Sequence, residues 1–301
     1  MFNYNSYTGK LEAFAKKSKR FISKLVKSNG TFAARIQKRH QEFWKVPDAE
    51  KIRNTIMEAH DPIEKWKDIK NWQRKLSNKY NAREFAKKHN CTVAELYWKG
   101  RDYNTINFND LPENYVIRPT TGHSCGLVFL MKNSQNLLDG KTYSHEEIRK
   151  ILAAALLENE NLAFLIEEFV KTEDGLHNIP DDFKFYMYEG EVCCIQVINR
   201  LNRSEGFTSW YDENWHFISN LTINYPEGKE QNAPKYLTEM IAAAKRLSTA
   251  YEIFCRIDFY ATDKGAVFGE FTPTPALGKG FTPAGDKLLA SYWDKFCKGK
   301  I

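Results

Sequence analysis

The pattern of apolar and polar positions along the chain predicts helices and antiparallel hairpins. Apolar residues recur at helical spacing in residues 10–45, 144–157 and 234–248. Elsewhere, short runs rich in β-branched and aromatic residues are separated by turns, most clearly residues 182–188 and 191–197. Helices interspersed with such hairpins are typical of an α+β protein with antiparallel or mixed sheets.

One hairpin has a register that its turn fixes. Strand-like runs at residues 256–260 and 267–272 flank Asp263-Lys264-Gly265, and a glycine in the third position is typical of a type I turn followed by a left-handed residue. If residues 263–265 form the loop, Thr262 pairs with Ala266. The register of both strands follows from that pair.

Counting back from this pair places four polar side chains on one face of the hairpin. Asp258 lies opposite Glu270 and Arg256 lies opposite Thr272, whereas the other face is apolar. Two carboxylates directly across a ladder repel each other, at roughly 5 Å between their Cβ atoms. A bound Mg²⁺, which prefers oxygen ligands, is one reason to place them there, and a solvated face with incidental charges is the other.

Two glycines and a cation mark a strand, loop and strand at residues 115–131. The loop contains Gly122, Ser124 and Gly126 and follows Arg118. Glycines let backbone amides approach phosphate oxygens, so the unit predicts a phosphate-covering flap, although a plain hairpin connection has the same pattern. It is not a Walker loop, because no Gly-Lys-Ser/Thr opens a helix here.

Charged residues interrupt apolar runs in two further places. Lys184 lies within the aromatic strand 182–188, where a lysine needs a solvated side or an anionic partner. An abrupt change from apolar to charged residues is typical of a hinge between lobes and also of an ordinary strand end. It occurs where the predicted strand 163–166 is followed by Glu167, Glu168, Phe169 and Val170.

Composition limits the class of protein. The 301 residues are 42% hydrophobic and 27% charged, as in soluble globular proteins. No run approaches the roughly 18 apolar residues of a membrane span, and the first ten residues lack the apolar core of a secretory signal, so we expect a cytoplasmic protein. The six cysteines have neither zinc-site nor disulfide-framework spacing and predict buried thiols.

The net charge of +6 hides an uneven distribution. Residues 1–90 carry 22 lysines and arginines against 9 acidic residues, a balance of +13, which leaves −7 for the rest. Two amphipathic helices predicted within residues 10–45, separated at Asn29-Gly30, contribute much of this charge. Such a region suits anionic lipid, a polyanionic glycan or nucleic acid, and a solvated lysine-rich face is the alternative.

Taken in order, these segments resemble the ATP-grasp superfamily, and within it the TupA-like branch. The resemblance covers about residues 76–301. It implies a basic helical region at 1–75 and an ATP-grasp domain at 76–301, with a glycine-flap lobe at about 95–166 and a metal-binding lobe at about 167–301. The motifs that carry it are Asn78-Lys79-Tyr80 with Arg83-Glu84, Asp182-Phe183-Lys184-Phe185, Arg256-Ile257-Asp258-Phe259-Tyr260, and Phe268-Gly269-Glu270-Phe271-Thr272-Pro273-Thr274-Pro275.

The resemblance implies two α+β lobes that enclose ATP, with Mg²⁺ bridging the phosphates. A carboxylate would take the γ-phosphoryl group, and an amine would then displace phosphate to leave an amide. Carried over residue by residue, the metal would be held by Asp258, Glu270 and Thr272, and Arg256 and Lys184 would act in catalysis. ATP would be bound by Lys79, Arg118, Gly122, Ser124, Gly126, Glu167, Glu168, Phe169, Val170 and Lys184.

TupA-like proteins are associated with cell-surface polymers. The resemblance therefore implies a sugar acid or acidic polymer precursor as the carboxylate, a separate amine donor, and peripheral contact of residues 1–90 with an anionic membrane or glycan rather than with nucleic acid. Two residues depart from the superfamily pattern, Arg118 where lysine is usual and Thr272 where asparagine is usual. A kinase acting on a sugar or glycan hydroxyl and a catalytically silent nucleotide-binding scaffold stay open as alternatives.

Overall fold

The computed structural model describes residues 30–122 and 127–301. The helix predicted N-terminal to Asn29, together with Ser124 and Gly126 of the predicted flap, lies outside these ranges. The helices of the described residues are α1 Thr31–Trp44, α2 Ala49–Arg53, α3 Ile63–Trp66, α4 Lys79–Lys88, α5 His145–Glu158, α6 Leu237–Tyr251 and α7 Pro283–Phe296.

The strands form two sheets in which every neighbouring pair of named strands is antiparallel. This arrangement confirms the predicted α+β class. The six-stranded sheet has the order β1-β6-β2-β3-β4-β5 and consists of β1 Leu96–Gly100, β2 Asn114–Pro119, β3 Phe129–Lys132, β4 Gln135–Asn136, β5 Lys141–Thr142 and β6 Phe164–Glu168. The five-stranded sheet has the order β11-β10-β7-β8-β9 and consists of β7 Asp182–Tyr188, β8 Glu191–Arg200, β9 Gly206–Tyr211, β10 Cys255–Thr262 and β11 Gly265–Thr272.

Helix α5 covers the six-stranded sheet. Its apolar face, with Ile148 and Leu152, packs on Ile117 and Ile166 of the sheet. The helix begins where the sequence predicts it, because the Ser144 hydroxyl accepts a hydrogen bond from the backbone of Glu147 and the Glu147 carboxylate accepts one from the backbone of Ser144.

Helices cover both faces of the five-stranded sheet. On one face Ile257 and Phe271 pack against α4 and α6. On the other face Tyr186 and Tyr188 pack against α1 and α7. Lys184 lies on this second face because strand side chains alternate, and it is buried there.

The helices that precede the first sheet also pack on the second one. Phe43, Trp66 and Trp72 belong to the same buried cluster as Phe271. The domain boundaries near residues 75 and 166 remain predictions. The cysteines at 91, 193, 194, 255 and 297 are buried free thiols, as predicted, and Cys125 lies outside the described ranges. Within those ranges no helix is both long and apolar enough to span a membrane.

The turn between β10 and β11 differs from the prediction. Thr262 pairs with Gly265, so the loop has two residues, and the predicted pairing of Thr262 with Ala266 is wrong. A β-bulge at Gly269 then adds one residue to β11 and restores the register. Glycine suits this position because a Cβ there would lie 3.0 Å from the carbonyl oxygen of Asp258.

The bulge returns the functional pairs to their predicted positions. Asp258 lies opposite Glu270 and Arg256 lies opposite Thr272. A two-residue turn without the bulge would have shifted these pairs by one residue and moved one member of each to the other face. The two deviations therefore compensate for each other.

Candidate functional site

A row of polar residues crosses the centre of the five-stranded sheet. Glu270 pairs with Asp258, Asp258 with Lys184, and Lys184 with Gln196, on four successive strands. All four lie on the same face of the sheet, where Asp258, Lys184 and Gln196 are buried and Glu270 is partly exposed. The sequence predicted the pair Asp258 and Glu270, and the fold adds the strand that carries Lys184 beside them.

Asp258 is the most heavily bonded member of the row. Its side chain is 3% exposed, and its oxygens accept hydrogen bonds from Arg256 Nε at 2.7 Å, Arg256 Nη2 at 2.8 Å and Lys184 Nζ at 2.6 Å. A fork-like guanidinium that donates two bonds to one carboxylate holds it in a fixed orientation. Arg256 also donates to Thr272 Oγ1 at 2.9 Å, so all three residues are positioned together.

Lys184 has the anionic partners that its place in an aromatic strand requires. Besides Asp258, its ammonium lies 3.5 Å from Asp182 Oδ2, which in turn accepts a hydrogen bond from Arg200 Nη2 at 2.8 Å. Burial raises the pKa of Asp182, but Lys184 and Arg200 outweigh it and hold that pKa below its usual value. Asp182 and Arg200 thus extend the charged network beyond the predicted site.

Glu270 is more exposed and more loosely held than Asp258. Its carboxylate lies 3.4 Å from Lys79 Nζ and 3.5 Å from Arg256 Nη2, with 33% of the side chain exposed. Burial raises its pKa, but the charges of Lys79, Arg256, Lys184 and Arg118 outweigh this effect and hold the pKa at about 2. The carboxylate is therefore ionised under all ordinary conditions.

These two depressed pKa values predict how stability depends on pH. A carboxylate whose pKa is lower in the folded state stabilises the fold above its unfolded pKa and loses that contribution as the pH falls through the folded value. We expect the contribution of Glu270 to the unfolding free energy to be constant from neutral pH to about pH 5 and to decline towards about pH 2. Urea unfolding at a series of pH values measures this, and Glu270→Gln should flatten the decline. An unchanged slope in the variant would contradict the assignment.

Lys79 links the hairpin to the predicted flap. It opens α4, whose N-terminus is capped by the side chain of Asn78. The Lys79 backbone donates to Thr120 O at 2.8 Å, and its ammonium donates to Gly122 O at 3.3 Å while facing Glu270. The structure thus brings the first residue of the flap together with the carboxylate pair. Ser124 and Gly126 lie outside the described ranges.

Glu167, Arg83 and Arg118 form a buried triad of charged residues. Glu167 accepts from Arg83 Nη1 at 2.9 Å and from Arg118 Nε at 2.5 Å. Arg118 also donates from Nη1 to the carbonyl oxygen of Gly269 at 3.4 Å, which ties the first sheet to the bulge of the second. Burial lowers the pKa of Arg118, but Glu167 outweighs it and raises that pKa, so the arginine stays charged. The predicted phosphate ligand Arg118 is therefore also an interlobe contact.

The predicted hinge residues lie beside a pocket. Glu168 and Phe169 line a cavity of about 230 Å³ together with Lys264 from the turn between β10 and β11. Glu168 also forms an ion pair with Lys264, and Phe169 and Val170 are buried. Glu167 points instead into the triad with Arg83 and Arg118. The structure thus separates two neighbouring residues that the sequence assigned to one nucleotide contact.

The donor set fits a magnesium ion. A carboxylate offers about four lone-pair directions, and Asp258 uses three, which leaves one on Oδ1. Glu270 has only long contacts, and the Thr272 hydroxyl keeps a lone pair beside its bond from Arg256. Residues 30–122 and 127–301 contain no group of three or more His, Cys, Asp or Glu that could hold a metal. With two carboxylates and one hydroxyl, the site would hold Mg²⁺ jointly with phosphate oxygens and water, as is usual for this ion.

Sequence patterns missed Arg39 of helix α1. It is fully buried, and its Nη1 donates to Phe254 O at 2.5 Å and Pro273 O at 3.2 Å. These carbonyls lie just beyond the pair formed by Arg256 and Thr272, so Arg39 closes the open end of the hairpin. Its guanidinium also stacks over Trp293, with 4.6 Å to the ring centroid. The only signal in the sequence was a cation within an apolar helical stripe.

A known protein family matches most of the chain. The profile described as TupA-like ATPgrasp matches residues 62–293. No curated protein sequence matches the chain. The matched range includes Lys79, Lys184, Asp258 and Glu270, whereas Arg39 and all of α1 precede it.

Several solved structures align with part of the chain. D-alanine–D-alanine ligase from Bacillus anthracis aligns with a TM-score of 0.49 at 15% identity, over 74% of this chain and 68% of that one. The complex of that ligase with ATP aligns with a TM-score of 0.47 at 13% identity, over 74% of this chain and 65% of that one. The ATP-grasp ligase PsnB complexed with minimal precursor, Mg and ADP aligns with a TM-score of 0.40 at 12% identity, over 71% of this chain and 58% of that one. The chain thus spans about two thirds or less of the length of most of these ligases. On the match over residues 62–293, the chain belongs to the TupA-like ATP-grasp family.

Proposed function

We propose that the protein is an ATP- and Mg²⁺-dependent ligase that joins a carboxylate to an amine through an acyl phosphate. The observation that carries the proposal is the paired carboxylates Asp258 and Glu270 surrounded by the cations Lys79, Lys184 and Arg256. Metal-binding oxygens beside an excess of fixed positive charge suit a nucleotide polyphosphate. Membership of a family of ATP-grasp proteins supports the same assignment.

Each cation has a role that its position supports. Lys79, at the base of the flap, and Lys184, at the centre of the sheet, would bind phosphate oxygens. Arg118 would contribute a third charge from the first lobe, and its planar fork makes it a different phosphate ligand from the lysine usual in the superfamily. Arg256, held by Asp258 and Thr272, would face the transferring group and stabilise the negative charge that develops there.

The two chemical steps balance as follows. A carboxylate oxygen of the acceptor attacks the γ-phosphorus of ATP, the bond to the β,γ-bridging oxygen breaks, and ADP leaves. The amine nitrogen then attacks the carbonyl carbon of the acyl phosphate, inorganic phosphate leaves, and the nitrogen loses a proton as the amide forms. Asp258, Glu270 and Thr272 would hold Mg²⁺, which would supply positive charge to offset that of the phosphates.

The carboxylate partner we propose is a sugar acid or an acidic polymer precursor of the cell surface. The resemblance to TupA-like proteins and the positive charge of the first third support this choice. Within residues 30–90, which the structure describes, there are 15 lysines and arginines against 8 acidic residues. A location in the cytoplasm, with contact to an anionic membrane or glycan through residues 1–90, is part of the same proposal.

Product analysis tests the proposal. The protein is incubated with ATP, Mg²⁺ and a panel of acidic sugars and amino acids, and the products are identified by mass spectrometry. We expect ADP, phosphate and an amide only when both a carboxylate and an amine are present. Release of AMP and pyrophosphate would contradict the mechanism. Phosphate retained on an acceptor hydroxyl would identify a kinase, and nucleotide binding without turnover under any condition would identify a silent scaffold.

A further inference from the structure

A buried arginine of α1 has no acidic partner. Arg39 is fully buried, and the other residues on its face of the helix, Phe32, Ile36 and Phe43, are apolar. Among the described residues no carboxylate forms an ion pair with it, and its Nε and Nη2 have no hydrogen-bond partner within the protein. Burial lowers the pKa of Arg39, yet a guanidinium stays charged at neutral pH. The ring of Trp293, 4.6 Å away, offsets only part of the cost of burying this charge.

The hydrogen bonds that Arg39 does make lie at the open end of the hairpin. Its Nη1 donates to Phe254 O at 2.5 Å and to Pro273 O at 3.2 Å. The pairing of β10 with β11 ends at Arg256 and Thr272, and a proline at 273 has no N–H with which to extend the ladder. Arg39 therefore joins the two strands just beyond the point where the ladder stops joining them.

The last pair of the ladder carries two of the functional side chains. Arg256 donates hydrogen bonds to Asp258 and to Thr272 Oγ1, and Thr272 is the third proposed metal ligand. The ends of a ladder open more easily than its centre, so the positions of these side chains depend on what holds the strands beyond them. Small displacements of groups that act on a transferring phosphoryl group lower turnover strongly.

Other contacts attach α1 to the rest of the protein. The Asp286 carboxylate accepts hydrogen bonds from the backbone of Phe32 at 3.3 Å and of Ala33 at 3.0 Å. Phe32 also packs edge-on against Phe254, with 5.4 Å between the ring centroids. We therefore expect α1 to stay in place without Arg39, and the cost of burying an unpaired charge would disappear with the arginine.

We propose that Arg39 is a positioning residue of the reaction centre, which fixes the last pair of the hairpin and thereby aligns Arg256 and Thr272 with Asp258 and Glu270. The inference rests on the ligase function proposed above, because the aligned groups are those assigned to the metal and to the transferring phosphoryl group. Helix α1 precedes the matched residues 62–293, so a segment outside the family domain completes the reaction centre.

Amide hydrogen exchange of the full chain tests the position of the hairpin end directly. In Arg39→Met, which has a similar length and no donor, we expect the peptides covering residues 254–257 and 270–275 to exchange about tenfold faster than in the wild type. The centre of β10 and the amides of α1 should exchange at their normal rates. Arg39→Lys should stay within about threefold of the wild type, because an ammonium can donate to both carbonyl oxygens.

The dependence on Mg²⁺ provides a second measurement. Calorimetry gives the Mg²⁺ concentration that half-saturates binding of the non-hydrolysable ATP analogue AMPPNP. We expect Arg39→Met to raise it about tenfold, as is typical when a residue that supports a metal ligand is lost, and Arg39→Lys to restore it. The Kd of AMPPNP without Mg²⁺ should not change. In turnover at saturating Mg²⁺, kcat should fall about tenfold or more while the KM of ATP stays constant.

The matched control is Arg35→Met, one turn earlier on α1. Arg35 lies over the ring of Trp293, as Arg39 does, but it bonds Asp294 and Ala290 O of α7 instead of the hairpin. We expect this variant to keep the wild-type exchange of the hairpin end and the wild-type Mg²⁺ dependence, even where its unfolding free energy is lower.

The outcomes separate this proposal from the ligase function. Wild-type exchange and Mg²⁺ dependence in Arg39→Met, or equal changes in Arg35→Met, would overturn the positioning role. Failure of both Arg39→Met and Arg39→Lys to fold would overturn it too, since Arg39 would then hold the fold as a whole. Failure of the ligase function has a different signature, namely no acceptor-dependent ADP release by the wild type while Arg39→Met still accelerates exchange at the hairpin end.

Discussion

Replacing Glu270 with glutamine is expected to reduce acceptor-dependent ATP turnover about a thousandfold, which corresponds to roughly 4 kcal/mol of transition-state stabilisation. The substitution removes one of two anionic metal ligands and leaves the shape of the side chain almost unchanged. Because the contacts of Glu270 with Lys79 and Arg256 are long, at 3.4 and 3.5 Å, we expect the unfolding free energy to fall by only about 2 kcal/mol. ADP release and urea unfolding measure the two effects separately.

A second carboxylate on the same sheet provides the control for Glu270. Glu191 is exposed at the start of β8, and Glu191→Gln should leave both turnover and stability close to those of the wild type. If Glu270→Gln turns over ATP at the normal rate, the metal-binding role of the hairpin is wrong. If both variants lose turnover equally, the effect is one of general charge rather than of metal binding.

The largest effect on stability is expected at Glu167. Its carboxylate is 4% exposed and accepts hydrogen bonds from two arginines, Arg83 and Arg118. In Glu167→Gln both guanidinium groups would remain charged, Arg118 would lose its carboxylate partner, and Arg83 would keep only Glu84, which lies 3.5 Å from its Nε. Breaking a buried ion pair in this way costs about 3 to 5 kcal/mol, a large part of the roughly 5 to 15 kcal/mol that stabilises a typical domain. Urea unfolding followed by circular dichroism measures the loss.

The neighbouring residue is a close control for Glu167. Glu168 makes its ion pair with Lys264, whose side chain is 56% exposed, and such pairs contribute about 1 kcal/mol or less. Glu168→Gln makes the same chemical change one position along the same strand. Equal losses of unfolding free energy in the two variants would contradict the buried role of the triad. The difference between the two losses measures how much more the buried ion pairs contribute than the exposed one.

The triad and the carboxylate row have different functions in the same small region. Arg118 contacts Glu167 in the first sheet and Gly269 O in the second. A change at Glu167 should therefore also loosen the bulge that aligns Asp258 with Glu270. We therefore expect the stability of the fold and the proposed catalysis to be coupled through the position of the Gly269 carbonyl oxygen.

Local chemistry allowed several parts of the site to be predicted from the sequence. Alternation along β10 and β11 placed Asp258, Glu270, Arg256 and Thr272 on one face, and the structure confirms that placement. The pairing at the turn was wrong, because a three-residue loop and a two-residue loop with a bulge leave the same residues opposite one another further along the strands. The pairing beyond the bulge depends only on the sum of the two one-residue shifts, one at the turn and one at Gly269.

Contacts between distant segments could not be predicted in this way. Lys184 and its partner Asp258 are 74 positions apart. Glu167 is 49 positions from Arg118 and 84 from Arg83. Arg39 bonds two carbonyl oxygens that lie 215 and 234 positions further along the chain. No periodicity encodes which strand lies beside another, because that is settled by how the helices and sheets bury their apolar faces together.

The sequence by itself determined the α+β class, the motifs of the family and the paired carboxylates on one hairpin face, since each depends on residue types and spacings within a few positions. Only the tertiary structure decided that Lys184 lies beside Asp258, that Lys79 joins the flap to Glu270, and that Arg39 of α1 bonds the backbone at the end of the hairpin. Those relations arise when separate segments share one core, where packing and the pairing of buried charges select among many arrangements that local pattern leaves equally possible.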